Sequence, residues 1–430
     1  MVDDSQSGRG SNPVIGVPGR RPSASPVEDA PAPEIRTPAQ WLRLNLFSSW
    51  ANGLLTVVSG VFAAFVIYQT LRFVFVGADW AVVRANMKGY MVGGFPIEEV
   101  WRVWASAYLV GALAGLSAGV SGWRMRWTFP RVVAAAAAAG VATVIVAGTA
   151  QTLLVRFLSG GLVAVVAAGV VVGRSWRGGF GRTAGPIATS WRRPLLVAWI
   201  SAFPLIIVIV RGFGGVSPSQ WEGFFFNLIA ATVGIFASFP IGIALALGRR
   251  SNLPAMRVVC VAFIELFRGV PLVAWLIFSK YVVDLLLPPQ MDLPDIIKAF
   301  VAMTLFSSAY VGEIVRGGLQ GVPVGQYEAA RAMGLSTMSM MVLVVLPQAL
   351  RTTIPAMISH FISLFKDTSL FTAIEVTDLL AAARRSAESL EFFGQDMETL
   401  LFAALLFWVV AFSMSRWSQR LEVRLGVGVR

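Results

Sequence analysis

Ten runs of apolar residues follow one another along the chain, at about 53–76, 104–122, 131–150, 153–173, 194–212, 222–247, 258–282, 296–316, 353–372 and 399–415. At 1.5 Å per residue, a helix of about 20 such residues covers the roughly 30 Å hydrocarbon core of a bilayer. The pattern predicts an all-α, polytopic membrane protein with about ten transmembrane helices. Runs three and four are nearly continuous, with Arg156 as the one marked break. A single re-entrant hairpin over 131–173 is therefore the alternative at that point.

The polar intervals set the organisation. Residues 1–38 are rich in Pro, Ser and Gly, carry mixed charge and hold almost no large apolar residue, as in SASPVEDAPAPE. They predict a disordered tail. They lack the apolar core and small-residue cleavage site of a secretory signal. Further on, residues 123–131 contribute three Arg, 174–193 five Arg and no acid, and 249–257 three Arg and no acid. On the other side, 283–295 holds Asp284, Asp292 and Asp295 without a basic residue, and 373–398 sets six acids against Arg384 and Arg385. Basic loops stay in the cytoplasm, so both termini and the tail are expected there.

Composition agrees with the pattern. The chain is 56% hydrophobic and 13% charged, with a mean hydropathy of +0.70, where a soluble domain carries about 25% charged residues. The net charge of +12 sits in short loops at alternate ends of the runs, which argues for a bilayer and against a nucleic-acid partner. Cys260 and His360 are the only residues of their kinds. A disulfide, a Cys/His metal cluster and a Ser/His/Asp triad therefore lack material.

One basic-side loop, 317–352, is long and helical in period. Gln326 to Met333 are good helix formers, Pro323 precedes them, and Gly334 stands where a left-handed residue ends a helix. Glu328 and Arg331 are spaced to pair on its surface, while Ala329, Ala330 and Met333 offer small or pliable apolar contacts. Such a face suits docking into another protein's groove. Ser336 is placed to cap a second helix, which Pro347 is expected to stop or kink.

Within this loop, Glu328-Ala329-Ala330, then Gly334, then Val344, Leu346 and Pro347 resemble the cytoplasmic signature of permease subunits of bacterial binding-protein-dependent ABC importers, with Val where Ile is usual. The stretches FIELFRGVPL (263–272), AYVGEIVRGGLQGVPVGQYEAARAMG (309–334), LPQALR (346–351) and LFKDTSLF (364–371) narrow the resemblance to the polar amino-acid branch, in particular the general L-amino-acid type. Close resemblance covers about 217–425. Phe371 and Thr372 depart from it, where smaller or aliphatic residues are usual. The resemblance implies a type I importer permease core over 216–430 with its coupling loop at 317–352, preceded by about five further spans over 39–215. It implies that Glu328, Ala329, Ala330, Gly334, Leu346 and Pro347 couple the chain to a cytoplasmic ATP-binding cassette ATPase. It also implies a second permease subunit, identical or homologous, a periplasmic amino-acid-binding protein, and residence in the bacterial inner membrane.

Ionisable residues within the runs are the remaining candidates, because each costs on the order of 2.5–3.5 kcal/mol to insert unless it pairs or faces water. Glu265 and Arg268 lie three apart, as do Glu313 and Arg316, and both sets read as structural intramembrane pairs. Lys366 and Asp367 are adjacent, point about 100° apart on a helix, and so need outside partners. Those partners are other helices, a second subunit, or the carboxylate and ammonium of an amino acid in transit. Ser307, Ser308, Tyr310 and Ser369 add uncharged hydrogen-bonding groups to that candidate translocation path.

No G-x-x-x-x-G-K-[ST] loop occurs, so ATP and Mg are expected on the partner ATPase, with no cofactor and no enzymatic activity in this chain. The alternative is an ion-coupled secondary amino-acid transporter, which would often show two repeated halves. No repeat is evident.

Overall fold

A computed structural model of the protein describes residues 37–120, 151–178, 192–288, 291 and 293–425. The tail up to residue 36, the arginine-rich stretch at 123–131 and the expected span at 131–150 lie outside the described residues. So does most of the 174–193 loop.

The chain divides into two compact units, Met1–Ala78 and Asp79–Arg430. The first contains α1 (Pro38–Asn45) and α2 (Trp50–Arg72), which runs on through a π-helical turn, Phe73–Gly77. Thr37 and Gln40 close a reciprocal capping box on α1, and Ser49 accepts the Asn52 amide at the start of α2. Both caps supply acceptors to amides that have no partner inside their helix.

The second unit begins with the short α3 (Ala81–Ala85) and α4 (Met87–Val92), then α5 (Val100–Val120), α6 (Gln151–Gly178) and α7 (Arg192–Arg211). Helices α5 and α6 approach closely because glycines line their contact. A Cβ at Gly169 would lie 2.9 Å from the Ala112 carbonyl oxygen, and one at Gly173 would lie 2.6 Å from that of Leu116. Small residues that let backbones meet are the usual adhesive between helices in lipid. Arg102 on α5 is buried against the end of α7, donating to the carbonyls of Ile209 at 2.7 Å and Gly212 at 3.1 Å, with Glu99 as its counter-ion. It thereby satisfies carbonyls that a helix C-terminus leaves free.

The centre of the unit is α8 (Gly223–Arg249) packed along α12 (Asp295–Gln320). Between them in sequence come α9 (Pro254–Gly269), α10 (Leu272–Tyr281) and the short α11 (Val283–Leu286). Then follow α13 (Val324–Ala332), α14 (Thr337–Met340), α15 (Leu346–Asp367), α16 (Leu379–Ala387) and α17 (Asp396–Leu425). Phe226, Phe300 and Phe371 form the middle of the main apolar core. A second core of Val311, Val315, Leu319, Ala330, Val345 and Ala349 lies at the α13 end.

Among the described residues, seven helices are long and apolar enough to cross a membrane, and α9 with α10 forms an eighth that bends by 100°. A shorter apolar stretch, Leu158–Gly173, covers the fourth predicted run. Nine of the ten expected spans thus correspond to apolar helices, though two differ in form. The run 258–282 is broken rather than straight, because Pro271 lacks the amide to carry the ladder and pushes Val270 to an extended ψ of 135°. The run 353–372 is the far part of a continuous helical rod, Thr337–Ile374. Pro347, expected to stop or kink that helix, sits just after a π-helical turn at Met341–Val345. The wider turn takes up the missing hydrogen bond, and the rod continues through it.

Candidate functional site

The predicted docking helix is α13. Its end is built as the spacing implies: the Gly334 amide donates to the Arg331 carbonyl at 2.9 Å and the Leu335 amide to that of Ala330 at 3.2 Å. Gly334 between them has a φ of +74°. This pair of bonds around a left-handed residue satisfies the terminal carbonyls of the helix. Ser336 caps the next helix by accepting the Ser339 amide at 3.2 Å.

Glu328, Ala329 and Met333 are exposed, as are Gly334 and Pro347, so these positions form an open surface. Ala330 does not join them. It is 3% exposed and packs into the second core, where Leu346 also lies half-buried. The helix presents one stripe outward and must bury the opposite one, and Ala330 falls on the buried side. Among the described residues Glu328 and Arg331 form no ion pair, so both charges point away free. The helix is instead tied down from behind. Tyr327 donates its hydroxyl to the Leu319 carbonyl at 3.1 Å, and Arg250, at the end of α8, donates to that hydroxyl at 3.2 Å. Gln348 donates to Gln326 at 3.1 Å.

The four charged residues read as two pairs form one cluster instead. Glu313 and Arg316 pair as expected along α12. Glu265 and Arg268 do not pair with each other. Arg249 of α8 reaches Glu265 at 3.2 Å and Glu313 at 3.3 Å, while Arg268 lies 3.9 Å from Glu313. A spacing of three permits a pair on one helix, but a long guanidinium from a neighbouring helix competes for the same carboxylate. The result joins α8, α9 and α12.

Beside the cluster lies a buried polar group. The Ser307 hydroxyl is 3.0 Å from that of Ser238 and 2.9 Å from His360 Nε2. The His360 ring stacks on Tyr310, with centroids 5.4 Å apart, and the Arg268 guanidinium lies 5.6 Å from the Tyr310 ring centroid. Ser308 bonds back to the Thr304 carbonyl at 2.6 Å, a local structural contact. The structure therefore brings Ser307 and Tyr310 together with Ser238 and His360. The sequence by itself shows His360 only as a lone histidine. The available signal was an ionisable ring inside an apolar run.

Lys366 and Asp367 occupy the last turn of α15, six and seven residues beyond His360, or about 9–10 Å along the helix. Lys366 is exposed and Asp367 half-buried, and neither side chain has a hydrogen bond or ion pair among the described residues. Ser369 bonds only the Lys366 carbonyl, at 2.9 Å. A knot beyond them was not foreseen. Asp378, fully buried, accepts from Thr372 Oγ1 at 2.6 Å, the Ala381 amide at 2.9 Å and Asn227 Nδ2 at 3.3 Å. Asn227 also donates to Thr368 Oγ1 at 2.9 Å and accepts the Leu379 amide at 3.0 Å. Burial without a cation pushes the Asp378 carboxyl above its ordinary range.

An apolar helical bundle with an exposed, back-anchored helix at one end and a few polar side chains grouped in its interior has the build of a polytopic membrane protein. The model of the family "binding-protein-dependent transport system inner membrane component" matches residues 238–427. The inner membrane amino-acid ABC transporter permease protein YhdY of Escherichia coli is 33% identical over 408 residues, which cover 90% of this chain and 93% of that protein. The glutamate/glutamine/aspartate/asparagine transport system permease protein BztC of Rhodobacter capsulatus is 32% identical over 434 residues, 92% of this chain and 95% of that one. Among solved structures, a chain in the crystal structure of an amino acid ABC transporter with histidines is 26% identical, with a TM-score of 0.42 over 53% of this chain and 97% of that one. This chain belongs to the family of binding-protein-dependent transport system inner membrane components.

Proposed function

We propose that this chain is the membrane-spanning subunit of an ATP-driven importer of polar or general L-amino acids. The observation that carries the reading is resemblance along nearly the whole chain to amino-acid permeases, including the long N-terminal part. The core is residues 216–430, a division supported by the position of the family match. Helix α13 docks on a separate ATPase, which binds ATP and Mg. Glu328, Ala329 and Gly334 belong to the contacting surface, with Pro347 beside it and Ala330 and Leu346 holding it from within. The partners are completed by a second permease subunit and a periplasmic amino-acid-binding protein. The chain lies in the bacterial inner membrane with the α13 end and both termini in the cytoplasm, a reading supported by the basic loop 249–257 next to α13 and the acidic loop 373–398 at the other end.

The translocation path runs past Ser307, Tyr310 and His360 toward Lys366, Asp367 and Ser369. A zwitterion needs an acceptor for its ammonium and a donor for its carboxylate, and Asp367 and Lys366 offer both, neither being held in a hydrogen bond or ion pair among the described residues. The test is purification of the tagged chain from its own membranes, followed by reconstitution in liposomes. We expect an ATPase to copurify, and uptake of a labelled mixture of glutamate, glutamine, aspartate and asparagine to require internal ATP and an added binding protein. Uptake driven by a sodium or proton gradient without ATP would overturn the reading.

A further inference from the structure

Arg249 and Arg250 are neighbours at the end of α8 and are tied to different structures. Arg249 bridges Glu265 of α9 and Glu313 of α12 at 3.2 and 3.3 Å. Arg250 donates through one Nη to the Leu319 carbonyl at 3.1 Å and the Tyr327 hydroxyl at 3.2 Å. Its guanidinium also lies 5.7 Å from the Tyr327 ring centroid. The two side chains share a single peptide unit, which is planar and stiff. A displacement of the chain at Arg250 is therefore shared with its direct neighbour Arg249.

The cluster is arranged so that such motion has an effect. Three arginines, 249, 268 and 316, face two glutamates, 265 and 313. Glu313 retains Arg316 and Arg268 if Arg249 moves, whereas Glu265 has Arg249 as its ion-pair partner and no other among the described residues. Withdrawing Arg249 thus removes the ion pair that ties α9, one half of the bent pair, to α8 while leaving Glu313 on α12 neutralised.

We propose that Arg249–Arg250 is the joint through which α13 acts on the membrane helices, with Tyr327 as the input and the Arg249–Glu265 bridge as the output. The proposal rests on the reading of α13 as the ATPase-docking helix. Arg249, Arg250 and Tyr327 are positioning residues, and their signature is the ratio of substrate moved to ATP hydrolysed.

The test uses the whole complex, copurified with its ATPase and reconstituted with binding protein, and the labelled four-amino-acid mixture as probe. Arg250→Gln and Arg249→Gln should each lower uptake per ATP hydrolysed by about fivefold, within the range found for residues that carry coupling. The double variant should fall no further than the worse single one, because two links in series fail when either is cut. Arg257→Gln, which loses only bonds to the Ser251 carbonyl, should match the parent. If Arg250→Gln does not assemble, Tyr327→Phe serves instead, since it removes one hydroxyl and keeps the ring. An unchanged ratio in assembled variants, or a double variant whose loss is the product of the two single losses, overturns the joint. Absence of any ATPase from the parental complex overturns the docking reading itself, and is seen before any variant is made.

Discussion

The Leu335 amide donates to the Ala330 carbonyl at 3.2 Å across Gly334, whose φ is +74°. A Cβ at Gly334 would meet open space, so a side chain there costs backbone strain rather than a clash. Gly334→Ala should cost about 1–2 kcal/mol from the left-handed conformation. Gly334→Asn should be milder, because Asn tolerates that conformation. Gly334→Asp places a carboxylate at the negative end of the helix, which disfavours it by a further ~0.3–1 kcal/mol. ATP-dependent uptake at normal membrane levels should fall in the order Asn, Ala, Asp. Equal activity in all three would refute the assignment of α13.

The ionic cluster predicts unequal effects for its two carboxylates. Glu265 is more than half exposed and has one partner, so Glu265→Gln should cost no more than about 1 kcal/mol. Glu313 takes three guanidiniums at less than a quarter exposure. Glu313→Gln leaves three arginines together and should cost about 3 kcal/mol, the lower end of the range for broken buried pairs. Thermal unfolding of the detergent-purified chain measures both, and the reverse ranking would contradict the cluster.

Asp378 predicts a pH dependence. Its carboxyl is held above its ordinary value by burial, partly offset by bonds from Thr372, Ala381, Asn227 and Leu380. A carboxyl raised by folding holds its proton longer in the native state than in the unfolded one. Its stabilising contribution is therefore full at low pH and lost as pH rises through the folded pKa. Asp378→Asn keeps an acceptor for Thr372 and carries no charge. Its unfolding temperature relative to the parent should rise as the pH climbs from about 4, the ordinary carboxyl value. A difference that stays flat or falls with rising pH would show that Asp378 is not held up by burial.

Lys366 and Asp367 distinguish transport from architecture. With no hydrogen bond or ion pair among the described residues, Lys366→Met and Asp367→Asn should leave the complex assembled while uptake drops by tenfold or more, roughly the loss of one charged contact at about 1.5–3 kcal/mol. If each instead anchors a second subunit, removal strands a buried charge at about 3–5 kcal/mol. Poor assembly of both single variants would then point to the subunit interface.

What the sequence by itself determined about this protein is what depends on near neighbours along the chain. Apolar length set the spans, Gly334 and Ser336 set the ends and starts of the helices at α13 and α14, and the motif spacing marked α13 as the segment proposed to dock. These follow from hydrogen bonds and burial within a few residues. Tertiary structure decided the rest, because a side chain's partner is whatever packing brings within reach. Glu265 meets Arg249 from another helix rather than Arg268 on its own. Lys298 lies buried where Asp284 and Asp295 both neutralise it. Ala330 turns inward, and Asn227 meets Asp378 across 151 residues. The bend at Pro271 and the passage of the helix through Pro347 show the same division. Proline removes one hydrogen bond in either place, and only the surrounding helices decide whether the chain turns there or continues.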